Sequence, residues 1–481
     1  MTGKSVVDLA IVGGGSGGLQ LLWNLVQPGR FAGSIALVDY SGGRDGGLGG
    51  TCLNVGCIPK KLFHHAGLLA RSVRGPEALA YGLPPALQWS PSETGPWQWP
   101  QLTGNVGHYI RSLNFDLWRR VRALGAPVEY LKGEAVFESG ASGRPFQLSV
   151  GDRSLQASSV VVCTGSRPRV PESLAGDPRV LTSDQLFWRP EPLAASVAVV
   201  GGGYIALESA SMLAALGHSV TVFMEEPLRA MDRQCADLVR RSLEAEGVRF
   251  VRRDPRAVTP SDLAPFGNVL VAAGRVPNLP RGLDGPITAV IDPRRPGLLA
   301  LGDVVEGHPQ LTPVAHHTAR QVAEHLVSGA PIAPFPAEQL ASAVFTTPHE
   351  YAFAGLSQEE AEGAFGKAAV RVYLSRYNTL DTSMLSTAEP DGIDYDHDGA
   401  CLAKLVCTGP DQRVVGIHFV GPHAAETIQA FSLALKLGAK KSDFDSLLAI
   451  HPTTAEEFCF LTKTPDEDFI KKAGCGGGGS C

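Results

Sequence analysis

Residues 6–18 read VVDLAIVGGGSGG, a strand-like apolar run that ends in Gly13, Gly15 and Gly18 at the spacing GxGxxG. A helix-like stretch, LQLLWNLV (19–26), follows, and a second strand, SIALVDY (34–40), ends at Asp39, 21 residues beyond Gly18. Glycine at these positions permits a tight turn and lets backbone N–H groups approach a pyrophosphate at the helix N-terminus. A carboxylate where Asp39 stands can accept from a ribose hydroxyl. Strand, glycine turn, helix, strand and acid in this order predict a dinucleotide-binding fold.

A second copy lies at 196–217, SVAVVGGGYIALESASMLAALG, with Gly201, Gly203 and Ala206 at the same spacing. The strand HSVTVF (218–223) then runs into Glu225. Two such folds in one chain suggest two dinucleotides and a hydride passed between them. In GLLALGDVV (297–305), Asp303 ends another apolar strand, where a carboxylate binds a polyol hydroxyl or caps a turn.

Composition narrows the class. At 481 residues the chain holds about three domains at roughly 100–200 residues each. A net charge of −6 gives no basic footprint for nucleic acid. No run reaches ~18 apolar residues, and the start MTGKS leaves no room for a signal peptide, so neither a membrane span nor secretion is expected. Nine cysteines are too sparse for a disulfide-stapled scaffold. A reducing interior compartment, the cytoplasm, is the expected location. Most cysteines sit in apolar strands as small hydrophobes, among them Cys163 and Cys407. Two pairs differ, Cys52/Cys57 and Cys475/Cys481.

Cys52 and Cys57 lie in GGLGGTCLNVGCIPKKLFHHA (46–66), just before a predicted helix. CxxxxC is not a zinc spacing, so no metal site is expected. The four intervening residues allow a disulfide if they form one helical turn, and a helix N-terminus favours the thiolate that redox chemistry needs.

GGTCLNVGCIPKK (49–61) resembles the redox signature of the pyridine-nucleotide disulfide oxidoreductases, which include glutathione reductase, lipoamide dehydrogenase and mercuric reductase. The similarity extends through CTGSRPRVP (163–171), GGGYIALE (201–208), GRVPN (274–278), LTPVA (311–315), TTPHEYAFAGLS (346–357), VVGIHFVGPHAAE (414–426) and HPTTAEE (451–457). The resemblance implies FAD and NADPH or NADH. It makes Cys57 the flavin-proximal thiolate and Cys52 the interchange thiol. Lys60 is expected to pair with Glu208 beside the flavin, and Tyr204 to gate the nicotinamide pocket. Thr51, Ala135, Thr164, Gly165 and Asp303 join Gly13, Gly15, Gly18 and Asp39 as expected cofactor contacts. His451 becomes the general acid/base, oriented by Glu456 and reaching the dithiol of the other subunit of a homodimer. Imidazole suits the task, because thiol–disulfide exchange accepts one proton and donates another near neutral pH.

The chain ends KKAGCGGGGSC (471–481). This resembles the C-terminal redox arm of high-molecular-weight thioredoxin reductases, as do YIRSLNFDLWRR (109–120) and 433–458 upstream. Glycines and serine make a flexible coil, so Cys475 and Cys481 can close a ring that swings to a bulky partner. GGGGS is also a common engineered linker, with a terminal Cys as a labelling handle. The arm implies a thioredoxin-like protein disulfide as acceptor. Alternatives are a glutathione reductase-like small-disulfide reductase, or a flavoprotein that uses another donor or senses redox state.

Three positions depart from the family. Leu117 replaces a tyrosine near the tail channel, with Trp118 beside it. DPRAVTPSDLAPFG (254–267) is too short and proline-rich for the usual β-meander. Glu225 and Glu226 stand where NADPH-specific relatives place arginines, and Arg229 alone matches a later one, so the residues favour a free ribose 2′-OH.

The expected fold is α/β: two doubly wound, Rossmann-like nucleotide-binding domains plus an α+β dimerisation domain. The expected divisions are an FAD-binding domain in two parts (1–171 and 291–339), a trimmed NAD(P)H-binding domain (172–290), an interface domain (340–470) and a redox tail (471–481).

Overall fold

Strand β1 (Lys4–Val12) has Leu9, Ala10 and Ile11 fully buried, as a strand covered on both faces must. The computed structural model describes residues 4–40, 47–84, 97–138, 145–385, 400–462, 464 and 470–471. On one side β1 pairs in parallel with β2 (Ile35–Asp39), which continues to β3 (Val128–Lys132). On the other it pairs in parallel with β6 (Arg153–Val162), whose length accommodates two neighbours. The first half of β6 carries an antiparallel ribbon of β5 (Phe146–Val150) and β4 (Ala135–Phe137). Its last residues, Val160–Val162, pair in parallel with β14 (Leu298–Ala300).

The chain leaves this sheet after β6 to build a second one and returns at β14. An antiparallel ribbon of β7 (Ser166–Pro168) and β13 (Arg275–Pro277) makes the crossing in both directions. The second sheet is wholly parallel, with β9 (Ser196–Val200) at its centre. Its order is β11 (Arg249–Arg252), β10 (Ser219–Met224), β9, β12 (Asn268–Val271) and β8 (Val180–Thr182). Residues 254–267 contain one 3-10 turn, Pro255–Ala257, and no strand. Val258, Leu263 and Phe266 from this short segment pack over Phe223 and Val269.

Helices fill the layers between. α1 (Ser16–Leu25) packs on α9 (Thr312–Ser328) through Leu19, Leu22, Ala319 and Val322. The short α2 (Gly50–Asn54) leads into α3 (Cys57–Arg74), followed by α4 (Pro76–Ala80) and α5 (Trp99–Ala123). The second sheet adds α6 (Ser183–Leu186), α7 (Tyr204–Ala215) and α8 (Arg233–Ala245). α7 is buried from Ala206 to Ala215, with Glu208, Ser209 and Ser211 among otherwise apolar residues, as a helix wedged between layers must be.

The third sheet runs β15 (Ala341–Val344), β16 (Glu350–Gly355), β19 (Arg413–Gly421), β18 (Ala400–Thr408), β17 (Val370–Asn378) and β20 (Ile470–Lys471). It is antiparallel except for β20. α10 (Gln358–Phe365), α11 (Ala424–Lys436) and α12 (Lys441–Asp445) accompany it. Phe431 and Phe458 stack edge to face with ring centroids 5.0 Å apart, sealing α11 to the chain that follows it. Two doubly wound sheets and one α+β unit make the α/β architecture expected from the two glycine motifs. Among the described residues no helix is long and apolar enough to cross a membrane.

Candidate active site

Thr51 and Cys52 sit in the single turn of α2, and Cys57 is the first residue of α3. The spacing had suggested one helical turn joining the cysteines. The chain instead breaks at Val55–Gly56 and restarts, and glycine suits this tight bend because a Cβ at Gly56 would meet the Thr51 carbonyl oxygen at 2.9 Å. Both thiols are free. Their mutual hydrogen bond pulls Cys52 down to about 6, despite burial, with the Thr312 and Ser16 hydroxyls assisting. The same contact, followed by burial, pushes Cys57 up, while Lys60 and Thr312 act in the opposite sense. The two sulfurs thus share one proton and lose the first near neutral pH as a unit.

One continuous cavity of about 970 Å3 opens onto this pair. It begins at Gly13, Gly15 and Asp39, passes Thr51, Cys52, Cys57 and Lys60, and takes in Thr164, Gly165 and Asp303. It continues to Tyr204 and Glu208 on α7 and ends against Ala341–Ala343 and Gln429 of the third sheet's layer. The volume is near the top of the ~300–1,000 Å3 range of ligand pockets.

The near end suits a dinucleotide. The N-cap of α1 is Gly15, with no side-chain cap, so the first N–H groups of a ten-residue helix face the cavity uncapped. Gly13 has φ +116°, and a Cβ there would lie 2.4 Å from the Cys163 carbonyl oxygen. Gly18 lines no part of the cavity; it lets α1 settle against the Gly13 carbonyl, where a Cβ would stand at 1.9 Å. Asp39 Oδ1 accepts from Gly14 N at 2.8 Å, and burial raises this carboxyl against that bond. Asp303 lies in the 3-10 turn after β14 and accepts from Ser166 Oγ at 3.0 Å. Burial raises it too.

At the dithiol, Lys60 Nζ lies 2.7 Å from Glu208 Oε1, which also accepts Phe345 N at 2.9 Å. Lys61 turns to Glu350 Oε1 at 3.1 Å, and both ammonium groups lie about 4 Å from the centroid of the Phe345 ring. Burial, then Glu208 and Asp303, push the Tyr204 hydroxyl up, so it stays protonated in the cavity wall.

The remaining expected residues stand elsewhere. Ala135 is buried in the core on β4 and does not line the cavity. Gly201 and Gly203 form the turn before α7, also outside it. Glu225 follows β10 and accepts from Arg229, while Arg233 donates to Glu226 at 2.9 Å. His451 Nδ1 lies 3.2 Å from both oxygens of Glu456, a buried carboxylate that fixes a half-exposed ring. Neither lines the cavity of its own chain. Cys475 and Cys481 lie outside the described residues. Leu117 packs into the core of the first sheet, and exposed Trp118 stacks on Phe115 at 5.8 Å.

Sequence reasoning missed several wall residues. Thr312, the first residue of α9, touches both thiols although only its motif LTPVA drew notice. Arg275 donates to Ser166 Oγ at 2.9 Å and to Ser166 O at 2.7 Å, buttressing Asp303 from behind. Its motif, GRVPN, carried the only signal.

Comparison with known proteins agrees with this geometry. Residues 7–319 match the pyridine nucleotide-disulphide oxidoreductase family, and residues 340–460 match that family's dimerisation domain. The chain is 33% identical to thioredoxin reductase SEP1 of Emiliania huxleyi, over 98% of both chains. It is 34% identical to a thioredoxin reductase of Plasmodium falciparum (isolate FCH-5), over 98% of this chain and 92% of the relative. A dithiol at the head of α3, two glycine turns and a matching dimerisation domain leave one conclusion: the chain belongs to the pyridine nucleotide-disulphide oxidoreductase family, as a thioredoxin reductase-like flavoprotein.

Proposed function

We propose that the protein passes electrons from NADPH or NADH, through FAD in the long cavity, to Cys52/Cys57, then to Cys475/Cys481 and a thioredoxin-like protein disulfide. The observation that carries this reading is the continuity of one cavity from Gly13 and Asp39, past the dithiol, to Tyr204 and Glu208 on the second nucleotide fold. The uncapped α1 N-terminus, Asp39 and Asp303 are the residues to hold FAD. When bound, FAD supplies two-electron exchange between a hydride donor and a dithiol.

The protein's own residues supply the sulfur chemistry. Cys52, as thiolate, attacks one sulfur of the acceptor disulfide and forms a mixed disulfide. Cys57 then closes on Cys52, and the acceptor's remaining sulfur leaves as a thiolate. The dithiol is oxidised, the acceptor is reduced, and each leaving thiolate takes up a proton. His451, held by Glu456, serves this transfer at the dithiol of a second copy, because it stands off the cavity of its own chain. A homodimer in a reducing compartment such as the cytoplasm follows from this reading.

Mixing purified protein with each nicotinamide and with several thioredoxins tests it. Bleaching of flavin absorbance followed by thioredoxin reduction is the expected result. Bleaching without thioredoxin reduction would return the acceptor to a small disulfide, and no bleaching by either nucleotide would remove the donor.

A further inference from the structure

Lys404 of β18 is 0% exposed, and so is Asp232, the N-cap residue of α8 on the second nucleotide fold. The Lys404 ammonium donates to Asp232 Oδ2 at 2.7 Å, to Gln234 Oε1 at 2.7 Å and to Gln358 Oε1 at 2.9 Å. Its three donors are therefore all used. Asp232 receives more: Cys235 N donates to Oδ1 at 3.3 Å, and Gln358 N to Oδ2 at 3.2 Å. A fully buried ion pair is expensive to desolvate, and swapping it for apolar residues is often neutral or stabilising. Stability alone is thus a weak reason for it, and its position suggests another.

Asp232 ends the segment 225–231, which carries Glu225, Glu226 and Arg229 from β10 to α8. That segment is pinned at its near end on the second glycine turn. Leu228 N donates to Gly202 O at 2.8 Å, and a Cβ at Gly202 would lie 2.4 Å from the Glu226 carbonyl oxygen. Between the pins, buried Leu228 holds φ at +43°, a left-handed backbone that L side chains rarely adopt. Such a conformation persists only where its surroundings over-determine it. Arg233, one residue beyond Asp232, donates to Glu226 at 2.9 Å, so the orientation of the acid pair depends on where Asp232 is held.

We infer that Lys404 is a positioning residue for nicotinamide-nucleotide binding. From the third sheet it fixes Asp232, and through it the 225–231 segment that discriminates the ribose 2′ group. This rests on the reading of the second glycine fold as the donor site. Lys404 touches no nucleotide. Its effect is to hold the reading segment in one strained conformation.

Lys404→Met tests it, with Gln234→Met as a milder variant that keeps the ion pair and removes one ammonium acceptor. In flavin-loaded, dimeric Lys404→Met, the KM for the preferred nucleotide should rise about tenfold with kcat changed less than about twofold, the pattern of lost uniform binding. Calorimetric binding of the oxidised nucleotide should weaken by the same factor, and the ratio of NADH to NADPH selectivity should move toward one. Gln234→Met should shift KM in the same direction by about two- to threefold. Lys404→Arg, which keeps the charge, should recover part of the loss. Unchanged KM and binding in folded Lys404→Met would overturn the inference. Were Lys404→Met not to fold, unchanged KM in Gln234→Met would do the same. Loss of kcat and thermal stability together, with KM constant, would mark the pair as structural only. A wild-type flavin that neither nucleotide reduces would remove the donor reading and this inference together, whereas normal wild-type reduction with unaltered variants removes the inference alone.

Discussion

Lys60 and Glu208 are 148 residues apart in sequence and meet at 2.7 Å, joining the helix of the dithiol to the helix of the second glycine turn. Glu208 is 3% exposed, and its other donor is the Phe345 amide of the third sheet's layer. One carboxylate therefore ties all three layers at the cavity floor. Lys60→Met should leave it buried with a single donor, which costs about 3 kcal/mol. A fall in thermal midpoint should show this, and Lys60→Met/Glu208→Leu should restore much of it. An additive double variant would mean the pair is not coupled.

The dithiol should titrate low. With Cys52 at about 6, the thiolate is present above that pH and lost as pH falls through it. An ordinary thiol changes near 8.5. Iodoacetamide labelling of reduced protein, mapped by mass spectrometry, should show the pair's first midpoint near 6. Cys57→Ala deletes the largest cause, so the midpoint should move toward the ordinary value. Cys52→Ser should conversely give a long-wavelength absorption band with oxidised flavin and no reductant, as the Cys57 thiolate beside Lys60. Absence of that band at neutral pH would reverse the two sulfurs' roles.

His451→Ala should slow the thiol–disulfide steps by about 10²-fold, the usual scale for an acid/base group. Flavin reduction by nicotinamide should change little, since hydride transfer needs no acid/base group at the acceptor sulfur. Stopped-flow traces separate the two half-reactions. Glu456→Gln keeps a hydrogen-bonding side chain against Nδ1 and should cost less than His451→Ala. Equal losses in both half-reactions would point to a damaged dimer instead.

The glycine motifs made the parallel β-strand and helix units of both nucleotide folds legible because close approach admits no other residue at positions such as Gly13, Gly18 and Gly201. The meeting of Cys52, Cys57, Lys60 and Glu208 at one cavity was legible because their motifs are dense and local. Thr312 and Arg275 were not singled out, although their motifs were, because a hydroxyl or guanidinium becomes a site residue only through what folding brings beside it. The Lys404–Asp232 pair left no trace in the sequence: a lysine within an apolar strand reads as an edge residue until its partner, 172 positions away, is seen. The break between α2 and α3 was hidden for a similar reason, since only the folded backbone shows how near Gly56 comes to the Thr51 carbonyl.

The C-terminal arm makes a separate prediction. Truncation before Cys475, or Cys481→Ser, should abolish reduction of a protein disulfide while quinone-type acceptors, which need no dithiol relay, still turn over. Full thioredoxin activity without the arm would make it dispensable. The reductive half-reaction with nicotinamide should be the same in both forms.

On the proposed reading of the second glycine fold, the donor is decided at 225–233. A 2′-phosphate brought near Glu225 and Glu226 meets like charge, and the two nearest arginines are engaged, Arg229 with Glu225 and Arg233 with Glu226, while Arg252 and Arg256 act on the same acids from β11 and the turn after it. Binding NADPH therefore sets the phosphate in competition with these carboxylates for the same guanidinium groups, a competition that a nucleotide with a free 2′-OH avoids. Both pairs are surface-exposed, so each is weak and the preference is modest. Weak discrimination, or a preference for NADH, is the expected outcome. Glu225→Arg removes one acid, adds a cation and frees Arg229. It should shift selectivity toward NADPH by at least about 1 kcal/mol, the scale of one charge-assisted hydrogen bond. Salt should reduce that shift, because the charges involved are exposed. Steady-state kcat/KM for both nucleotides, measured at two ionic strengths on wild type and Glu225→Arg, checks each part. Saturation of the unmutated protein by low micromolar NADPH would show that the two acids swing clear on binding, and the charge argument would then fail.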